Sequence, residues 1–322
     1  MSTPRINVGV LLPTREAVMS GRPEAAPLLE MAERAEAAGY DSVWVGDSLL
    51  ARPRFEPLTL LAATAARTRR VTLGTAVLLP ALRHPLLLAH AVASVDRIAE
   101  GRLVLGVGIA PDTPGVRKEF EAAGVPFRER VGRLVETMAL CRRLWAPEAA
   151  GGPVSFEGRY WKLAGAQILP APARAGGPPI WMGGEVEGAL RRAGRSADGW
   201  FPNSRAPQVY RDGWATVLRE AGQSGRPASA IASALYTTIN IGPDTKAAEA
   251  EMRSFIEGYY GAPYEVIAAR WGHYAGSPEG CLEWLGAFRE AGARHIVLRF
   301  ASADQAAQME RATRFLLPRL RG

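Results

Sequence analysis

A closed barrel of eight parallel strands, each followed by a helix, is the fold class that this sequence predicts, and three observations predict it. Short apolar runs bounded by Gly, Pro or Asp alternate with longer segments that carry apolar residues at helical spacing. The alternation recurs eight times, and parallel strands need crossover connections of a dozen or more residues, usually helical. The length, 322 residues, suits an α/β barrel folded as one domain over residues 1–322.

Each element has its own justification. Residues 6–12 form an apolar run ended by Pro13, and PTREAVMSGRP at 13–23 carries the punctuation of a loop. The helix predicted over 24–38 places Leu28, Met31, Ala32 and Ala35 on one stripe before Gly39 stops it. A buried strand at 41–46 delivers Asp47 and Ser48 into the next loop, and a helix over 57–68 leads to the third strand, 71–79. A helix over 86–99, a strand at 103–108, a loop at 109–116 and a long amphipathic helix through Trp145 follow.

Residues 147–178 break the rhythm. Two short β-like runs flank Glu157-Gly158, which predicts a hairpin inserted beside the barrel. Regularity returns with strands at 179–182, 198–202, 231–241 and 294–300. Helices are expected over 186–196, 207–221, 244–260, 263–271, 278–291 and 304–320.

Composition narrows the function. Hydrophobic residues at 48% and charged residues at 22% describe an ordinary globular core. The net charge of +7 is spread over scattered arginines with no basic run longer than a pair, which argues against nucleic acid and fits anionic small molecules. Cys141 and Cys281 have neither disulfide nor zinc spacing and read as buried small residues. The apolar core of the N-terminal segment is too short for a secretion signal, and no run approaches the ~18 apolar residues of a membrane span, so a cytoplasmic protein is expected. No HExxH pattern, GxSxG elbow or hydrolytic triad occurs, so neither metal nor serine chemistry is expected.

In such a barrel the chemistry sits on the loops at the carboxyl ends of the strands. Asp47 and Ser48 are the catalytic candidates there. Asp47 would position a polar edge of a ring or substrate, or else cap its loop, and Ser48 would donate a hydrogen bond. Gly74, Thr75, Ala76 and Val77 soften the third strand, which marks a bulge or the approach of a flat ligand. Relief of crowding inside the barrel is the alternative for Gly74. Gly106 and Gly108 are a fragment of a dinucleotide fingerprint, better used to let a cofactor lie against the fourth strand. Gly183, Gly184 and Glu185 stand between a strand and a helix, where exposed N–H groups would suit a phosphate or simply make a tight turn. Loops 13–23 and 109–118 and the aromatic tract 256–277 would wall the substrate, or the aromatics would only pack helices.

Five stretches carry a resemblance: GYDSVWVGDS (39–48), VTLGTAVLLPALRHP (71–85), DRIAEGRLVLGVG (96–108), FEGRYWKL (156–163) and PPIWMGGEVEGALRRAGRSADGWFP (178–202). Together the chain resembles the bacterial luciferase-like superfamily of flavin- and deazaflavin-dependent oxidoreductases. The resemblance implies a (β/α)8 barrel with an insertion, and a flavin or deazaflavin ring across the carboxyl ends of the strands. It also implies a non-prolyl cis peptide at Ala76-Val77 and the cofactor phosphate at Gly183 and Gly184. Ser48 stands where many relatives carry histidine, Ile109 where an arginine can bind phosphate, and Pro111 where sugar-oxidising relatives place a glutamate. These departures weigh against peroxyflavin and sugar chemistry. The expected activity is coenzyme F420-dependent hydride transfer to or from a small organic substrate. The alternatives are an FMN-dependent monooxygenase and a non-catalytic flavin-binding barrel. A homodimer and a reductase supplying reduced cofactor complete the expected partners.

Overall fold

The computed structural model describes residues 5–146 and 152–321. Eight parallel strands close on themselves: β1 (Asn7–Leu11), β2 (Ser42–Val45), β3 (Thr72–Thr75), β4 (Leu103–Val107), β7 (Ile180–Met182), β8 (Gly199–Trp200), β9 (Ala232–Ile241) and β11 (His295–Phe300). Closure runs through the β8–β9 pair, Gly199 opposite Ala232, and the β11–β1 pair, His295 opposite Asn7. The eight-strand reading of the sequence therefore matches the molecule.

The helices form because each carries one apolar stripe and a defined start. Helix α3 (Pro57–Arg67) has Pro at its first position and Glu56 accepting from the Thr59 N–H. Helix α4 (Pro85–Ile98) begins the same way, with His84 as the cap that accepts from Leu86. Helix α2 (Ala26–Ala38) ends on Gly39, whose φ of 92° is left-handed and favours glycine. The stripes pack on the outer face of the strands and form the main core.

Four elements differ from the sequence expectation. The 13–23 segment contains a short helix, α1 (Thr14–Met19), between its prolines. The third strand is cut to Thr72–Thr75, because the Ala76–Val77 peptide is cis and pairing resumes only at the isolated Leu78–Val107 bridge. The helix expected through Trp145 is two helices, α5 (Pro114–Ala122) and α6 (Arg130–Trp145), parted by Gly124 at φ 69° and by Pro126. A further strand, β10 (His273–Gly276), pairs with the long end of β9, where Thr238 to Ile241 run past β8 and leave an edge to be covered.

The inserted hairpin consists of β5 (Val154–Glu157) and β6 (Lys162–Ala166), antiparallel and lying against α6. Residues 147–151, where the insertion was expected to begin, lie outside the described residues. The hairpin turn is fastened by Glu136 of α6, whose carboxylate accepts from the backbone N–H groups of Arg159, Tyr160 and Trp161 at 2.9, 2.8 and 2.7 Å.

The amino-terminal end of the lumen holds His295. Its Nε2 lies 2.7 Å from Ser42 Oγ, and both Trp44 and Trp181 meet its ring edge-on. Burial lowers its pKa from the ordinary 6.5 to about 4. A folded-state pKa below the unfolded one gives stability that is complete above pH 6.5 and lost as the pH falls from there toward 4. Between pH 7 and pH 4 the protein should lose roughly 3 kcal/mol more unfolding free energy than His295→Gln. Urea melts of both proteins across that range measure the difference, and parallel curves would contradict it.

Candidate active site

The site is built in layers up the barrel. Leu11, Trp44, Val104, Trp181, Phe201, Ala234 and Val297 form a cluster inside the lumen, separate from the outer core. The Trp44 ring centroid lies 5.3 Å from that of Trp181 and 4.8 Å from that of Phe201, so three aromatic rings fill the middle of the barrel. Side chains alternate along a strand, so the next inward positions lie two residues further on. Past Trp44 that position is Gly46, past Trp181 it is Gly183, past Phe201 it is Asn203, and past Val297 it is Arg299. An aromatic floor is thus followed, toward the carboxyl ends, by a layer of two glycines, Asn203 and Arg299, in which the Arg54 guanidinium takes the space over Gly46.

The cis peptide borders this layer. Ala76 and Val77 are half-buried and pack against the aromatic floor. A Cβ on Gly108 would come within 2.6 Å of Val77 Cγ2, so only glycine lets the fourth strand lie this close to the bulge. Gly183 is half-buried and Gly184 exposed, the latter left-handed at φ 102°. Ala76, Val77, Gly108 and Gly183 thus present short side chains and backbone at the carboxyl ends of the third, fourth and fifth barrel strands, a lining compatible with a flat ring. The paired glycines at the β7–helix junction fit an anionic group.

Gly74, Thr75 and Gly106 lie below that lining. A side chain on Gly74 would collide with the Trp44 indole, so crowding inside the barrel accounts for this glycine. Thr75 is fully buried and its hydroxyl donates to the Gly106 carbonyl at 2.8 Å, a tie between the third and fourth strands. A Cβ on Gly106 would strike the Thr75 carbonyl. The structure therefore gives these three a packing role, whereas Ala76, Val77, Gly108, Gly183 and Gly184 reach the layer above the floor.

Asp47 and Ser48 stand at the carboxyl end of β2 with their polar atoms already engaged. Asp47 takes both guanidinium nitrogens of Arg83 at 2.6 and 3.1 Å and the Leu79 N–H at 2.8 Å. It thereby ties the chain just past the cis peptide, and the loop-fastening reading of this residue fits its contacts. Arg83 is held above its ordinary pKa; burial opposes this, and the charges of Asp47 and then Glu56 outweigh it. Ser48 Oγ donates to Glu119 Oε1 at 3.0 Å and accepts from the Arg52 N–H at 2.9 Å. Glu119, fully buried on α5, also accepts from Leu49 and Leu50 and so holds the whole turn.

Glu185 is half-buried beside Ser204, with one oxygen lacking a hydrogen-bond partner. Burial raises its pKa, against the opposing hydrogen bond to Ser204 and the charge of Arg205. Among the described residues no group of His, Cys, Asp or Glu is arranged to hold a metal. Both cysteines are buried, and burial pushes Cys281 up to about 12. Sequence reasoning missed Arg83, Glu119 and Arg299. Arg299 had a readable signal, as a charge inside the apolar run RHIVLRF near the carboxyl end of a barrel strand.

A family model described as luciferase-like monooxygenase matches residues 6–295. The chain belongs to the luciferase-like monooxygenase family. Among its relatives are an F420-dependent glucose-6-phosphate dehydrogenase of Mycolicibacterium fortuitum, 31% identical with 91% of this chain and 94% of the relative aligned. One of the same description from Nakamurella multipartita is 32% identical, with 91% and 92% aligned. Among solved structures, an F420-dependent secondary alcohol dehydrogenase in complex with an F420-acetone adduct superposes with a TM-score of 0.84 at 21% identity, covering 99% of this chain and all of the other. A long-chain alkane monooxygenase does so with a TM-score of 0.80 at 15% identity, covering 99% and 92%. At these identities the structural likenesses establish the shared barrel.

In this family member the Asp47–Arg83 pair should be a major support of the site. Asp47→Ala leaves the partly buried guanidinium with Glu56, at 3.3 Å, as its remaining carboxylate, and should cost about 3 kcal/mol. Ser48→Ala should cost only about 1–2 kcal/mol. Denaturant unfolding of the two variants tests the order, and an Asp47→Ala protein as stable as Ser48→Ala would refute it.

Proposed function

We propose that the protein is an F420-dependent oxidoreductase that transfers hydride between the deazaflavin and a small organic substrate. The observation that carries this reading is the short-side-chain rim over the aromatic floor, formed by the cis Ala76–Val77 peptide with Gly108 and Gly183. Relatives near 30% identity described as F420-dependent dehydrogenases favour F420 over FMN. Ser48 stands where many relatives carry histidine and Pro111 where sugar-oxidising relatives place a glutamate, so glucose 6-phosphate is not the substrate proposed.

When bound, the cofactor supplies the hydride-bearing carbon and accepts or donates two electrons. Ala76, Val77 and Gly108 would hold the ring face, and Trp44, Trp181 and Phe201 beneath it would keep water from the lumen below. The Gly183 and Gly184 backbone would receive the phosphate, with Glu185 as a rim group beside Ser204. Asp47 and Ser48 would act as positioning residues, through Arg83 and Glu119, for the bulge and the loop that face the ring. The reading also takes residues 1–322 as one domain, places the protein in the cytoplasm as a homodimer, and includes a reductase that supplies reduced cofactor. No described helix is long and apolar enough to cross a membrane.

Titration of the purified protein with F420 and with FMN, followed by absorbance, should show tight binding of F420 and weak binding of FMN. Turnover with reduced F420 should proceed without oxygen. Gly108→Val, which pushes on Val77, should weaken F420 binding about fivefold or more, since even one misplaced methyl-sized group at a close-packed face costs about 1 kcal/mol or more. Tight binding of FMN alone with an absolute oxygen requirement would replace this reading with the monooxygenase one.

A further inference from the structure

The substrate side of the mouth carries a charge imbalance. Arg15 follows β1, Arg52 and Arg54 follow β2, and Arg299 is the penultimate residue of β11, so four guanidinium groups meet over three adjacent strands. Tyrosines hold them together. Arg299 lies over the Tyr259 ring at 3.9 Å and Arg15 over the same ring at 4.3 Å, while Arg54 donates to the Tyr259 hydroxyl at 3.1 Å. Arg52 stacks on Tyr260 at 4.9 Å. The carboxylate paired with this group is Glu16, 3.5 Å from Arg299 Nη2. Arg15 is pushed below its ordinary pKa, first by burial and then by repulsion from Arg52 and Arg54.

Arg299 is 3% exposed, and only its Nη1 donates a hydrogen bond, to the Tyr260 hydroxyl at 2.9 Å. Its Nε and Nη2 are buried without hydrogen-bond partners, as are Nε and Nη1 of Arg15. Nε and Nη2 are the two donors of one guanidinium edge. Elsewhere in this protein the same edge binds a carboxylate two-handed: Arg67 on Glu33 at 2.6 and 2.9 Å, and Arg117 on Asp112 at 2.6 and 2.7 Å. The Glu16 carboxylate, 3.5 Å from Nη2, balances the charge without closing a hydrogen bond on this edge, so both of its N–H donors stay buried and unsatisfied, which is costly unless an oxyanion takes them.

We propose that Arg299 and Arg15 form an oxyanion subsite for the substrate, which therefore carries a carboxylate or a phosphate group. Alternation along β11 puts Arg299 on the lumen face two residues above Val297, at the level of the layer over the aromatic floor. The strand order places β7, with Gly183 and Gly184 at its end, four strands from β1 and so across the barrel from Arg15. An anion at the arginine fork and a cofactor phosphate at the glycines would flank the ring from opposite sides. This assignment of substrate class rests on the cofactor reading above.

Calorimetric titration of the full chain with inorganic phosphate and with acetate, at ionic strength held constant with chloride, tests the subsite in the wild type, Arg299→Lys and Arg15→Gln. The wild type should bind at least one of the two saturably, and the one bound tells phosphate from carboxylate. Lysine keeps the charge and loses the fork, so Arg299→Lys should bind about tenfold or more weakly. Arg15→Gln, on the half-exposed α1, should show a similar loss and serves if the buried variant fails to fold. F420 affinity should be unchanged in both. No saturable binding by the wild type, or variants that bind like it, overturns the subsite. Variants that lose F420 affinity but keep affinity for the deazaflavin chromophore without its acidic side chain also overturn it, by giving the fork to the cofactor. A wild type that binds the oxyanion through these arginines but never binds F420 keeps the subsite and removes the cofactor reading.

Discussion

The filling of the barrel lumen by Trp44, Trp181 and Phe201 is the constraint on which the rest of the site depends. Three large rings in contact occupy the middle of the barrel, and Gly74 is glycine because the Trp44 indole takes the space of its side chain. Once that level is filled, whatever lies above it is a shelf. Above it the next inward positions on two of these strands are Gly46, covered by the Arg54 guanidinium, and Gly183, which carries no side chain over the floor. The same packing that stabilises the fold sets the depth of the site.

Above the floor, stability and function part company. The loops at the mouth are held by buried carboxylates on backbone N–H groups: Asp47 on Leu79, Glu119 on Leu49 and Leu50. Each carboxylate satisfies donors that a loop cannot pair with itself. The arginines around Tyr259 do the opposite and leave donors open in a buried place. A mouth with fastened loops and unsatisfied guanidinium donors is suited to fix an anion without moving.

Much of the fold was legible because it depends on short-range pattern. Apolar runs closed by Pro or Gly marked every strand of the barrel but the last, and the hairpin turn at Glu157-Gly158 stood where it was expected. The short helix Thr14–Met19 was hidden by the prolines and glycine around it. Strand β10 was hidden because four residues beside an irregular aromatic tract have no pattern of their own. They become a strand only where β9 outruns its neighbour. Within the site, the stretch 74–77 was read as one unit, but its first two residues face Trp44 and β4 while its last two reach the shelf.

The sequence by itself determined the barrel class, the order of its strands and the family, because periodicity and motif spacing are local and survive without coordinates. It also pointed the candidate site to the carboxyl ends of the strands, which follow from chain direction. Tertiary structure decided which of the marked residues are free to act. Asp47 and Ser48 found their partners 36 and 71 residues away, in Arg83 and Glu119. Arg15 and Arg299, from the two ends of the chain, were brought together without enough acceptors. Pairing of charges across such separations is set by closure of the barrel, which no window of sequence contains.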